Sequence, residues 1–294
     1  VTGVQTCALP ISFAFWYMLP IAVIFSTVAL GTGVEGATFF SPFFILALGL
    51  DPKVAIGAGL IIEVFGFSSG LYAYVRRRLI DYRMGGVLLA VSIPSALVGT
   101  YAAHYVPDDI LKTILGVGLV VVAASFIRAP SNEVVAQIDA SNRQSPERAE
   151  RCRQTAEGET ICYTVFNRTE GMLSGGIGGL FIGMVSTGLG ELNGYLFLQR
   201  CRIPARVAIA TSVFVVALTA LTASVGHVTT LLHTGEAALH QLANVLAFTV
   251  PGVLIGGQIG PAVSERIPER TMELGMGLIF LTVSLVLLGE VAWG

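Results

Sequence analysis

Gly31-Thr-Gly-Val-Glu-Gly36 is a glycine-rich break carrying a carboxylate inside an otherwise apolar run, and Ser186-Thr-Gly-Leu-Gly-Glu191 repeats it in the second half of the chain. Each break is followed by a short apolar segment, a proline and the tract Val-Ala-Ile: Asp51-Pro-Lys-Val-Ala-Ile-Gly57 in the first half, Ile203-Pro-Ala-Arg-Val-Ala-Ile-Ala210 in the second. The chain is therefore a duplicated unit. Its organisation follows from where the two copies lie.

The surroundings of the breaks are those of a bilayer protein. Of 294 residues, 54% are hydrophobic and only 12% charged, with a mean hydropathy of +0.76, whereas a soluble domain carries about a quarter charged residues. Spanning helices need ~20 apolar residues each. Segments 54–75, 84–103, 110–127, 207–225, 242–259 and 272–288 meet or approach that length. Those bordering the breaks do not. Residues 37–50 are too few for a straight crossing at ~1.5 Å per residue of a core ~30 Å thick, so 13–50 reads as a hairpin or broken helix. Residues 171–185 and 192–198 flank the second break in the same way.

The halves divide at a polar stretch that holds Arg143, Arg148, Arg151, Arg153 and Arg168 among interspersed acids. This gives a first membrane repeat over 12–128, a cytoplasmic linker over 129–169 and a second repeat over 170–294. Within the linker, 157–166 has turn chemistry before alternating β-formers, so a small strand pair and a solvated loop are both open. Residues 1–11 resemble the in-frame translation of a common sequencing adapter and are set aside as a non-native leader. Cys7, Cys152, Cys162 and Cys201 are too scattered for a disulfide framework, and free thiols on the reducing side are the expectation.

Orientation follows from arginine placement. The positive-inside rule assigns Arg76, Arg77, Arg78 and Arg83 to the cytoplasm, and likewise Arg200, Arg202 and Arg206. These clusters lie at opposite ends of the equivalent helices, so the two halves are inverted in the membrane. Residues 51–53, 104–112 and 227–240 then face out with both termini. The expected fold is all-α: a polytopic protein of the cytoplasmic (inner) membrane with two inverted-topology repeats, each containing a broken or re-entrant helix.

Inverted repeats with discontinuous helices are a construction of secondary transporters, which place the broken ends near the bilayer midplane around one substrate. Non-helical backbone at that depth must be buried in protein or line an aqueous cavity. Helix starts at Gly36 and Glu191 would offer free N–H groups to an anion, and Gly33, Gly36, Gly188 and Gly190 let the backbone approach it. Close helix packing is the alternative use of the same glycines. Asn193, Thr211 and Ser212 are further candidates for the substrate site, against ordinary structural roles. Glu35, Glu63 and Glu191 are costly in a bilayer and should face the interior. Two ionised carboxylates beside an anion would repel it, so either one is protonated or the ligand is a cation. A proton-responsive pair, Glu35 and Glu191 with Glu63 nearby, follows as the coupling expectation; plain hydrogen-bond acceptance is the alternative.

These residues resemble the TauE/SafE sulfite-exporter family, small permeases whose repeat is a Gly-x-Gly-Gly-Gly followed by a proline and a Val/Ala-rich helix, once per half. The resemblance covers roughly 13–288 apart from the linker. It implies export of sulfite, sulfonates and related sulfur compounds by alternating access. Glu35 and Glu191 depart from it by standing where the family often has glycine.

Other classes are poorly served. A net charge of -2 gives no support for a nucleic-acid partner. No phosphate-binding loop ending in Lys-Ser/Thr is present, and no nucleophile and base stand at credible spacing for an enzyme. His227, His233 and His240 are too widely spaced for a metal site and are assigned to a solvated outward loop. No cofactor is expected. The partners are a small anionic substrate and lipid, with a homo-oligomer left open. A proton- or cation-coupled permease for another small solute is the alternative function.

Overall fold

The computed structural model describes residues 13–32, 34–128, 149–165, 168–201, 203–233, 236–263 and 269–293. Gly33, Arg202 and the leader with Cys7 lie outside them. Ten α-helices stand among the described residues. The first half holds α1 (Met18–Thr32), α2 (Ala37–Leu48), α3 (Pro52–Arg76), α4 (Tyr82–Tyr105) and α5 (Asp108–Ile127). The second half holds α6 (Arg168–Val185), α7 (Leu189–Gly194), α8 (Ala205–His233), α9 (Glu236–Val263) and α10 (Glu269–Trp293). Between the halves, β1 (Ala149–Gln154) and β2 (Thr160–Val165) form an antiparallel hairpin.

Local chemistry sets the boundaries. Helix α2 stops at Gly49, whose φ of 62° is the left-handed conformation that only glycine adopts cheaply, and Leu50 N–H returns to Phe44 O. Pro52 then opens α3 at a position where a missing N–H costs nothing. With twelve residues, α2 is ~18 Å long and cannot cross the membrane alone. Segments Pro52–Arg76, Tyr82–Tyr105, Asp108–Ile127, Ala205–Val228 and Leu242–Gly260 are long and apolar enough to do so.

The helices pair in a pattern that survives exchange of the halves. Helix α1 packs on α9 as α6 packs on α4, α3 packs on α9 as α8 packs on α4, and the equivalents α3 with α8 and α5 with α10 pack on each other. The last two pairs run antiparallel: the turn after α3 meets the start of α8 through Asp81 N–H to Thr211 Oγ1, and Lys112 near the start of α5 meets Glu290 near the end of α10. Helices α3 and α8 are mostly buried, while α4, α5 and α9 turn apolar faces outward, with Val98, Val121 and Ile255 exposed. Exposed apolar faces around a buried centre suit lipid as solvent.

Glycine makes the two equivalent contacts close. Gly175, Gly179 and Gly183 of α6 meet Leu88, Ser92 and Ala96 of α4; Gly252, Gly256 and Gly260 of α9 meet Leu19, Val23 and Thr27 of α1. A Cβ on Gly256 would stand 2.6 Å from Val23 O. This small-residue spacing of four lets backbones approach where no hydrophobic force drives helices together.

The ends sort into two sides. Lys53 pairs with Asp108 at 3.5 Å, and His104 stacks on His227, so 51–53, 104–112 and the end of α8 share one side. On the other, Ala156 N–H bonds Arg77 O and Arg206 approaches Glu159 at 3.5 Å. Two expectations are corrected here. Residues 227–240 are mostly helix: α8 continues to His233, and His227 is buried with Nε2 2.8 Å from Gly183 O. The side chains of His233 and His240 lie outside the described residues. Cys152 and Cys162 are a disulfide, because the hairpin register places them directly opposite, which spacing along the chain does not reveal. Cys201 is buried.

Candidate functional site

The two breaks meet in the interior. Val34, Glu35 and Gly36 leave the helical pattern between α1 and α2; Ser186, Thr187 and Gly188 do so between α6 and α7. Ser186 sits at φ 57° and Gly188 at φ 118°, so the second break contains a strained serine where the first has Gly31. After α7 the chain winds one π-helical stretch over Tyr195–Arg200, an irregularity common beside functional sites.

Carboxylates bridge the breaks. Glu35 is fully buried, and its Oε1 accepts the Gly190 N–H at 2.7 Å. Glu191 is half-buried; its Oε2 accepts the Gly188 N–H at 3.0 Å and its Oε1 accepts the Thr38 hydroxyl at 2.8 Å. This is one half of a capping box, since Gly188 has no side chain to return the bond. Thr38 also lies 2.6 Å from Thr187, and Ser41 2.6 Å from Ser186, so a polar seam continues from one half to the other. The N–H groups of Gly188 and Gly190, glycines expected to let the backbone approach a ligand, are thus occupied by the protein's own carboxylates.

Further polar groups lack protein partners. Both oxygens of Glu63, Oε2 of Glu35, both side-chain atoms of Asn193 and the Ser212 hydroxyl are buried without hydrogen bonds. Glu63 approaches the Gly36 N–H and lies within electrostatic reach of Glu35 and Glu191, but makes no well-aligned bond. Stranding a buried polar atom costs about 1–3 kcal/mol. Six such atoms on these four residues are exceptional, because buried polar groups are normally hydrogen-bonded.

Of the residues expected from sequence, Glu35, Gly190, Glu191 and Gly188 are joined by hydrogen bonds, with Gly36 and Glu63 alongside. Asn193 and Ser212 are buried and unpartnered. Thr211 is committed elsewhere, accepting Asp81 N–H at 3.0 Å. Gly33 lies outside the described residues. Sequence reasoning missed Thr38, Ser41 and Thr187; aligning the breaks puts Thr38 opposite Asn193 and Thr187 opposite Thr32, which marks polar positions in both copies. No cluster of three metal-ligating side chains occurs among the described residues.

The fold is that of a polytopic all-α membrane protein with a buried polar junction between its two breaks. Residues 18–287 match the family model "Sulfite exporter TauE/SafE". The chain belongs to that family. It is 24% identical over 270 residues to "Probable membrane transporter protein YunE" of Bacillus subtilis (strain 168), covering 90% of this chain and 92% of the relative. It is 26% identical over 268 residues to "Probable membrane transporter protein YjnA" of the same organism, covering 87% and 93%. A Sinorhizobium sp protein, "Probable membrane transporter protein ORF9", is 28% identical over 101 residues, 34% of this chain and 38% of the relative. No solved structure matches.

Proposed function

We propose that the protein is a secondary transporter that exports small sulfur-containing anions, such as sulfite or an organosulfonate, across the cytoplasmic membrane by alternating access. The observation that carries this reading is the interlock of the two breaks: Glu35 of the first on Gly190 of the second, with Glu63 in electrostatic reach of Glu35. The two equivalent halves, with α3 and α8 antiparallel, support an inverted-repeat rocking motion around that point. An anion leaving a negative-inside cell moves downhill by ~2.3 kcal/mol per charge per 100 mV, so export needs no ATP. Asn193 and Ser212 supply donors to the anion, Gly188 and Gly190 supply backbone N–H groups once their carboxylates withdraw, and Glu35, Glu63 and Glu191 carry the coupling proton.

The three acidic side chains also favour a second reading, a proton- or cation-coupled permease for another small solute. Reconstitution into liposomes separates them. Sulfite, thiosulfate, sulfoacetate or taurine should move with the protein and not without it. Failure of all four, with movement of a neutral or cationic solute, replaces the first reading by the second.

A further inference from the structure

The hairpin between the halves is fastened to the joint between α3 and α8. Asp81, 3% exposed, sits in the turn between α3 and α4 and accepts hydrogen bonds from Arg83 N–H at 3.1 Å and Met84 N–H at 3.0 Å, capping α4. Its other carboxylate oxygen receives Arg151 Nη1 at 2.6 Å and the Tyr163 hydroxyl at 2.8 Å, one residue from each strand. Its own N–H goes to Thr211 of α8. One residue therefore ties the hairpin, the first half and the second half together. Ala156 N–H on Arg77 O, Arg153 over the Tyr82 ring and Arg206 near Glu159 extend the contact.

Arg151, Tyr163 and the Cys152–Cys162 pair lie at alternate positions, so Tyr163 is buried against Asp81 while both cysteines are solvent-exposed. A lone two-stranded ribbon is marginal in water. Here a disulfide closes it, on the side the arginines assign to the cytoplasm, where disulfides are rare and labile. We propose that the hairpin is a latch across the two halves, released when a sulfur nucleophile opens the exposed Cys152–Cys162 bond. A thiolate attacks one Sγ and the other leaves as thiolate; a second thiol then resolves the mixed disulfide, so the pair gains two electrons and two protons while two donor thiols become a disulfide. Sulfite attacks the same sulfur and stays, leaving an S-sulfonate on one cysteine and a free thiol on the other, with no outside oxidant or reductant. With the hairpin loosened, Asp81 loses Arg151 and Tyr163, and the α3–α4 turn is held to α8 more weakly, with the Asp81 N–H bond to Thr211 remaining. The effect on flux rests on the alternating-access reading; the opening itself does not.

The test uses the purified full-length protein, oxidised, then treated with dithiothreitol or with sulfite. Trypsin should cut at Arg151 and Arg153 severalfold faster after opening, and the doubly substituted Cys152→Ser, Cys162→Ser protein should be cut at that faster rate untreated. Asp81→Asn, which keeps the disulfide, should be cut at an intermediate rate. Opening by both reagents, with the S-sulfonate seen by mass after sulfite, assigns the latch to sulfur nucleophiles in general. Opening by dithiothreitol alone assigns it to thiols. Equal cleavage in every state overturns the latch. In liposomes flux should rise severalfold on opening; unchanged flux beside changed cleavage overturns its control of transport. Absence of any flux in all samples counts against the transporter reading, while the cleavage result stands.

Discussion

Glu35 of the first break holds Gly190 of the second through a 2.7 Å hydrogen bond, and the two residues occupy equivalent positions in the duplicated motif. A carboxylate in one copy thus occupies the backbone donor of its counterpart. Glu35→Gln keeps an acceptor for Gly190 and removes the charge, so the fold should hold while the pH dependence of flux flattens. Glu35→Ala strands the Gly190 N–H at a cost of about 1–3 kcal/mol. Flux measured against pH in liposomes checks this; a glutamine profile that overlays the parent removes Glu35 from coupling.

Asn193 gives the sharpest separation of stability from transport. Neither side-chain atom has a protein partner although the residue is fully buried. Asn193→Leu should leave thermal stability in detergent unchanged or higher, because a stranded amide is removed, yet cut flux at least tenfold. A large fall in melting temperature would show that the amide serves the fold rather than a ligand.

Much of this was legible because it rests on period and punctuation. Gly49 and Pro52 bound the break after α2 as glycine and proline should, and the Val-Ala-Ile tracts mark α3 and α8 as equivalents. The pairing of Cys152 with Cys162 was not legible, since it depends on a strand register that sequence left open between hairpin and loop. The capture of Glu35 by Gly190, and of Thr211 by Asp81, joins residues more than a hundred positions apart. No local pattern encodes which of several polar groups will find one another in the packed interior. His227 misled for a related reason: a polar residue near a helix end reads as loop, but Gly183 offered it a carbonyl inside the bundle.

Glycine positions should divide by contact rather than by helix. A Cβ on Gly183 would collide with Ala96 O, whereas one on Gly118 of α5 meets nothing within 4 Å. Gly183→Ala is therefore expected to destabilise by about 1–3 kcal/mol through forced separation of α4 and α6. Gly118→Ala should stabilise by about 0.5–1 kcal/mol, since alanine has less helix entropy to lose. Melting temperatures of the two variants should move in opposite directions; a shared sign would refute the close contact.

Hairpin docking should persist over a wide and definable pH range. Burial would raise the Asp81 carboxyl, but the Met84 N–H, Arg151 and Tyr163 outweigh it and hold the group below the ordinary aspartate value of 3.8. A carboxyl lowered on folding contributes stability that is present above its unfolded value and lost as pH falls through the lower folded one. Docking should thus survive the range in which exposed aspartates protonate and fail only below it. Tyr163 sets the alkaline limit: burial and its bond to Asp81 push the phenol well above its ordinary 10.0, so the hydroxyl keeps its proton and its bond past that point. Hydrogen exchange of the β1 and β2 amides, with the disulfide kept oxidised and rates corrected for intrinsic pH dependence, should show protection across that interval. In Asp81→Asn the Tyr163 bond survives but the charge pair with Arg151 is gone, so protection should be weaker at neutral pH and lose its acid transition. An acid transition of unchanged midpoint in that variant would mean that another group, not Asp81, fastens the hairpin.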